Sequence, residues 1–157
     1  MDLQRAQSIA DSIVKKLSPN CERIEVAGSV RRKRPFPRDI DIVLIPTDPW
    51  QLQSEIIRLG GGQVKMSGNK ITRLSYNGVQ VDLYFAAPET WATLFLIRTG
   101  SKESNIRLTT LAKKRGWHLH ASGLGLFNEK GERIAGDTEE SIFEALGVPY
   151  QQPEERG

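Results

Sequence analysis

Two aspartates two residues apart, Asp39 and Asp41, open the apolar run Ile42-Val43-Leu44-Ile45, and a third, Asp82, stands inside VQVDLYF. Along a strand, residues two apart point to one face, so Asp39 and Asp41 project together while Ile40 and Ile42 turn to the other. Two such carboxylates repel each other and desolvate badly inside a sheet. A hard divalent cation removes that penalty, and Mg²⁺ prefers carboxylate, water and phosphate oxygens. If the two strands are neighbours, Asp39, Asp41 and Asp82 converge. Such a set holds two metals about 3.5–4 Å apart, the arrangement that clamps attacking and leaving oxygens in phosphoryl transfer. A lone D-x-D would serve equally well as a turn cap. The third strand aspartate and the segment upstream favour the metal.

That upstream segment reads AGSVRRKRPFPR and carries Arg31, Arg32, Lys33, Arg34 and Arg38. A strand leading through Gly28-Ser29 into a helical turn presents backbone N–H groups, a hydroxyl and guanidinium groups together. Arginine suits phosphate because its planar fork donates paired hydrogen bonds. The basic residues are thus expected to hold a triphosphate, and the aspartates the metals that polarise it.

The elements that position these groups follow from periodicity. LQRAQSIADSIVKKL places Ala6, Ile9, Ile13 and Leu17 at helical spacing. SPN breaks this helix, and ERIEVA reads as a strand ending at Gly28-Ser29. Asp39–Pro46 is the second strand, 51–59 a short helix, and the glycines at 60–62 a turn. Gln63–Met66, Lys70–Tyr76 and Val79–Ala86 read as strands, with Asn77-Gly78 a hairpin signal between the last two. From Pro88 the character changes. ETWATLFLIRTG predicts a buried helix opened by proline and closed by Gly100, and 102–115 a basic helix ended by Gly116. A small hairpin or meander follows over 117–135, then a final helix in TEESIFEALGVP. The expected class is α+β, with one lobe over 1–87 and a smaller helical and hairpin lobe over 88–157. Trp50, Trp91 and Trp117 are expected to pack in the core or an interface, and Cys21 to be a small buried hydrophobe.

Composition narrows the function. In 157 residues, hydrophobic content of 38% and charge of 26% are ordinary for a globular chain. No apolar run nears the roughly 20 residues that span a bilayer, and no signal peptide is evident, so a cytoplasmic or nucleoid-associated protein with no membrane partner is expected. One cysteine allows no internal disulfide, and with two histidines it builds no zinc site, so a metal here is oxygen-ligated. Residues 98–115 carry six basic side chains against Glu103, while 116–157 carry three basic and eight acidic ones. One basic side facing a polyanion such as a polynucleotide would explain this, with Lys102, Arg107, Lys113, Lys114 and Arg115 as the residues that would meet it.

GSVRR, DID, VDL, TGSKESN, an LF-containing hairpin and LGVPYQQPEE, in that order, resemble the family X DNA polymerases of the polymerase beta type. The resemblance covers nearly the whole chain. It implies a nucleotidyltransferase palm, a mixed sheet with helices, followed by the family's C-terminal nucleotide-binding, thumb-like subdomain. It implies that Asp39, Asp41 and Asp82 hold two Mg²⁺ ions, with Mn²⁺ as a substitute, and that Asp82 accepts the primer 3′-OH proton. By the same match Gly28, Ser29 and Arg32 contact the triphosphate, and Gly100, Ser101 and Asn105 pack on the sugar and base of a dNTP. Arg38 stands where the family commonly has glycine, leaving its N–H for phosphate. Ile97-Arg98 stands where the family often has an aromatic pair, which puts ribonucleotide rejection in question. The match implies a minimal form without the helix-hairpin-helix and lyase domains.

The activity expected is addition of dNMP to a DNA 3′-OH on primer-template or gapped DNA, as short-gap filling in repair. A monomer is expected, working with a DNA ligase or an end-binding repair protein. Two rivals stay open: a template-independent nucleotidyltransferase acting on a nucleic-acid end or a small-molecule hydroxyl, and a non-catalytic nucleic-acid-binding module.

Overall fold

An opening helix, α1 (Leu3–Leu17), buries Ala6, Ile9, Ala10, Ile13 and Leu17 along one stripe. Asp2 caps it, its carboxylate accepting the Arg5 N–H at 2.8 Å. In the computed structural model, which describes residues 1–61, 64–68 and 70–157 and only the backbone of 65–67, the chain divides into two units, Met1–Ala86 and Ala87–Gly157. No described helix is long and apolar enough to cross a membrane.

The first unit is built on a mixed five-stranded sheet of order β1-β2-β5-β4-β3. Its strands are β1 (Cys21–Val26), β2 (Ile40–Pro46), β3 (Val64–Ser67), β4 (Ile71–Tyr76) and β5 (Val79–Phe85). β2 and β5 run parallel, while β1–β2, β3–β4 and β4–β5 are antiparallel. Parallel neighbours need a long crossover. It contains α3 (Pro49–Gly60), which starts on the Asp48 carboxylate and Pro49 and ends at Gly61 with φ 55°. One core joins α1 and α3 to the sheet through Ile40, Ile42 and Leu44 of β2 and Val81 and Leu83 of β5. The alternate positions of those strands, Asp41 and Asp82 among them, therefore face away from α1 and α3.

Asn77 and Gly78 join β4 to β5 with φ 51° and 75°. Two positive φ values are what a two-residue type I′ hairpin turn requires. Gly62 and Gln63, which the sequence reading put in a turn and at a strand start, lie outside the described residues. Trp50 is not packed: it is 86% exposed. Leu52 and Ile56 form the buried stripe of α3, and Trp50 is out of phase with them.

The second unit holds α4 (Trp91–Thr99), α5 (Lys102–Lys114), an antiparallel meander of β6 (His118–His120), β7 (Gly125–Phe127) and β8 (Arg133–Ala135), and α6 (Glu139–Ala145). Its core gathers Leu96, Ile97, Leu108, Ala112, Leu119, Leu126, Ile142, Phe143 and Leu146. α4 is apolar nearly all round and buried accordingly, with Arg98 its exposed residue. The mixed sheet with helices is the α+β class expected from the sequence.

Candidate active site

β1 leads through Ala27 into α2 (Gly28–Arg31), a single helical turn. The Ala27 N–H donates to the Asp41 carbonyl at 2.8 Å, which ties this turn to β2. Gly28 has φ 60°, and a Cβ there would overlap Oδ2 of Asp41. Glycine is thus required twice at this position, by the left-handed backbone and by the closeness of the carboxylate. The chain then folds back, the Arg34 N–H donating to the Ser29 carbonyl at 3.0 Å.

The result is a depression of about 350 Å³ on the first unit. Ser29, Arg32, Arg34 and Arg38 line one part of it and Asp39 and Asp41 another, with Phe36 and Pro37 completing the wall. The positive groups and the two carboxylates meet in a single hollow. Asp39 lies one residue before β2 and is exposed, whereas Asp41 is inside the strand and half-buried.

Asp41 and Asp82 are direct partners in the parallel β2–β5 register. Asp82 is only 5% exposed. Its carboxylate receives Arg73, Nε donating to Oδ1 at 2.8 Å and Nη2 to Oδ2 at 3.3 Å. This fork lies across β4–β5, where Arg73 and Asp82 are also register partners. The hydrogen bond and the charge of Asp82 hold the Arg73 guanidinium above its ordinary pKa. Arg73 escaped the sequence reading, although the signal was present. A two-residue turn at Asn77-Gly78 pairs Tyr76 with Val79, and counting back three places pairs Arg73 with Asp82.

Among the described residues no three His, Cys, Asp or Glu side chains form a ready metal-ligand cluster. The expected convergence of three carboxylates is thus realised in the backbone register of Asp41 and Asp82, but not as a preformed ligand set. The Asp82 carboxylate is engaged instead by Arg73 of β4. The donor set still suits a hard cation. Asp82 is a buried carboxylate already neutralised by a cationic group, and Asp41 and Asp39 supply further oxygens beside it.

The remaining expected site residues lie in the second unit. Gly100 and Ser101 join α4 to α5 through a cis peptide bond. Ser101 is buried and caps α5, its Oγ accepting the Ser104 N–H at 3.2 Å, while its own N–H donates to the Arg156 carbonyl at 3.1 Å. Asn105 Nδ2 donates to the Ile97 carbonyl at 2.9 Å. On α5, Lys102, Arg107 and Lys113 are exposed, as is Lys114. Arg107 reaches Gln151, and Arg115 donates to the Ala145 carbonyl at 2.7 Å and covers the Trp117 ring. Arg115 is therefore partly engaged in closing the end of α6.

Residues 94–157 match the family model "DNA polymerase beta thumb". The chain is 28% identical over 137 residues to the DNA polymerase/3′-5′ exonuclease PolX of Bacillus subtilis (strain 168), covering 83% of this chain and 23% of that protein. It thus spans about a quarter of the length of that relative. Two structures of Leishmania infantum polymerase beta share the fold at 20% identity. The ternary P/T complex gives a TM-score of 0.79 over 100% of this chain and 76% of that one; the ternary gap complex gives 0.80 over 99% and 70%. Thumb match, PolX relative and polymerase beta fold together relate this chain to the family X DNA polymerases.

Proposed function

We propose that the chain carries the nucleotidyl-transfer centre of a DNA polymerase, adding dNMP from a dNTP to a DNA 3′-OH. The observation that carries this reading is the single hollow in which Ser29, Arg32, Arg34 and Arg38 meet Asp39 and Asp41, with Asp82 in register beside Asp41. A phosphate chain needs charge-assisted donors, and a reacting phosphoryl group needs charge neutralisation beside them. This hollow offers both.

Asp39, Asp41 and Asp82 would hold two Mg²⁺ ions, with Mn²⁺ as a substitute. Bound there, the metals supply charge neutralisation on the phosphates and a lowered pKa for the 3′-hydroxyl. Ser29 and Arg32 bind the triphosphate, with the Gly28 turn and the Arg38 N–H aimed at the same group. Asp82 accepts the 3′-OH proton, and for that Arg73 must release it. Gly100, Ser101 and Asn105 position the sugar and base of the dNTP, while Lys102, Arg107, Lys113, Lys114 and Arg115 follow the DNA backbone. We place the activity in short-gap filling on gapped or recessed DNA, by a cytoplasmic or nucleoid-associated monomer that leaves sealing to a ligase.

One observation favours a second reading. Arg73 already neutralises Asp82, as it would in a nucleic-acid-binding module without turnover. Nucleotide incorporation on single-stranded, recessed and gapped DNA in parallel, with each of the four dNTPs and Mg²⁺, separates the two. Incorporation directed by the template supports the polymerase. Equal activity without a template indicates a terminal transferase, and binding without incorporation indicates the module.

A further inference from the structure

Phe36 is 74% exposed, yet it lines the same hollow as Arg32, Arg34 and Arg38. An isolated surface phenylalanine needs no explanation, but this one is held in place. The Leu3 N–H donates to the Pro35 carbonyl at 3.0 Å, tying the residue before it to the start of α1. Pro37 after it is buried, and both flanking prolines have a fixed φ. The aromatic ring is thus presented to solvent from a backbone fixed on either side. It stands within a segment whose charge attracts phosphate.

An aromatic face set among arginines is the combination that binds a nucleobase attached to a phosphate chain. The cations hold the backbone, and the ring stacks on the base whatever its sequence. We infer that Phe36 is a stacking platform for an unpaired nucleobase whose phosphates lie on the arginines of this hollow. The inference rests on the phosphate reading of Ser29 and Arg32 given above. The base can come from a free nucleoside triphosphate or from a single-stranded stretch of DNA; the chemistry is shared, and experiment tells the sources apart.

Four ligands test it on the full chain: a dNTP, inorganic tripolyphosphate, an oligothymidylate, and an abasic oligodeoxynucleotide of the same length. Phe36→Ala should weaken one or both of the base-bearing ligands by about 5- to 150-fold, leaving tripolyphosphate and the abasic strand within about twofold. Loss confined to the dNTP assigns the base to the free nucleotide and takes that role from Gly100, Ser101 and Asn105; loss confined to oligothymidylate assigns it to a single strand and leaves their role as proposed. Phe36→Trp should keep the affinity and report the base by fluorescence quenching. Unchanged affinity for both base-bearing ligands in Phe36→Ala overturns the inference, as does equal weakening of all four. Arg32→Ala tests the underlying reading separately. It should weaken tripolyphosphate, and if it does not, the phosphate assignment fails whatever Phe36 does.

Discussion

Replacing Arg156 with methionine keeps most of the side-chain volume and removes one buried charge. Arg156 is 0% exposed, and its Nη1 lies 2.9 Å from Oε2 of Glu139, itself 8% exposed. Nε donates to the Gln151 carbonyl at 3.1 Å, and the guanidinium lies 5.3 and 5.4 Å from the Phe143 and Tyr150 ring centres. Arg156→Met would remove the Arg156 cation from beside the buried Glu139 carboxylate. Breaking a buried pair from one side costs about 3–5 kcal/mol, because the remaining charge is uncompensated. In a chain of this size that corresponds to a fall in Tm of about 6–20 °C. The assay is urea unfolding followed by tryptophan fluorescence. Trp91 and Trp117 report the C-terminal unit, while Trp50, already exposed, changes little. The double variant Arg156→Met/Glu139→Gln should cost less than the sum of the two single variants, since the buried carboxylate is gone. Because the Arg156 carbonyl accepts the Ser101 N–H, amide exchange at Ser101 should also quicken in Arg156→Met. A stability within about 0.5 kcal/mol of the parent chain, with unchanged exchange at Ser101, would refute this reasoning.

Three further outcomes are expected. Gly28→Ala should cost about 1–2 kcal/mol from its left-handed backbone alone and should also displace Asp41, so urea stability and triphosphate affinity both fall; unchanged triphosphate binding would detach Gly28 from the site. Arg73→Gln should tighten Mn²⁺ binding several-fold, followed by the electron paramagnetic resonance of free Mn²⁺, because Asp82 loses its competing cation; weaker binding would make Arg73 a support for the site rather than a competitor. Burial pushes the Cys21 thiol up from 9.0 to about 11, so its alkylation at pH 8 should run about 100-fold slower than that of an ordinary thiol. The folded state favours the protonated thiol, so the contribution of this group to stability is whole below pH 9 and is lost as pH rises towards 11; alkylation at the rate of a free thiol would contradict the burial.

Local spacing carried the parts of this molecule that depend on neighbours in sequence. The alternation of Ile40 and Ile42 against Asp41, the α1 stripe and the Asn77-Gly78 turn each appear where local spacing puts them, while Asp39 lies one residue before the strand expected to hold it. The adjacency of Asp41 and Asp82 is different. It requires β2 and β5 to pair in parallel across a crossover, and no local signal encodes that pairing. Arg73 was legible through the hairpin count, and Trp50 through its phase relative to Leu52 and Ile56. Arg156 was not: its partner Glu139 is 17 residues away in another element, and a single arginine in an acidic tail gives no sign of burial. Gly28 read as a phosphate-loop residue, while its contact with Asp41 emerged only from the folded β1–β2 junction.

Single-nucleotide incorporation on gapped DNA, comparing Asp82→Asn with the parent chain in Mg²⁺ and measuring dNTP affinity alongside, tests the proposed centre most directly. The parent chain should add the template-matched nucleotide only with the divalent ion present. Asp82→Asn should lose at least about 10²–10⁴-fold in turnover, the scale of a positioned general base, with dNTP affinity largely kept. Near-normal turnover in Asp82→Asn, or no incorporation by the parent chain on any DNA, would contradict the account.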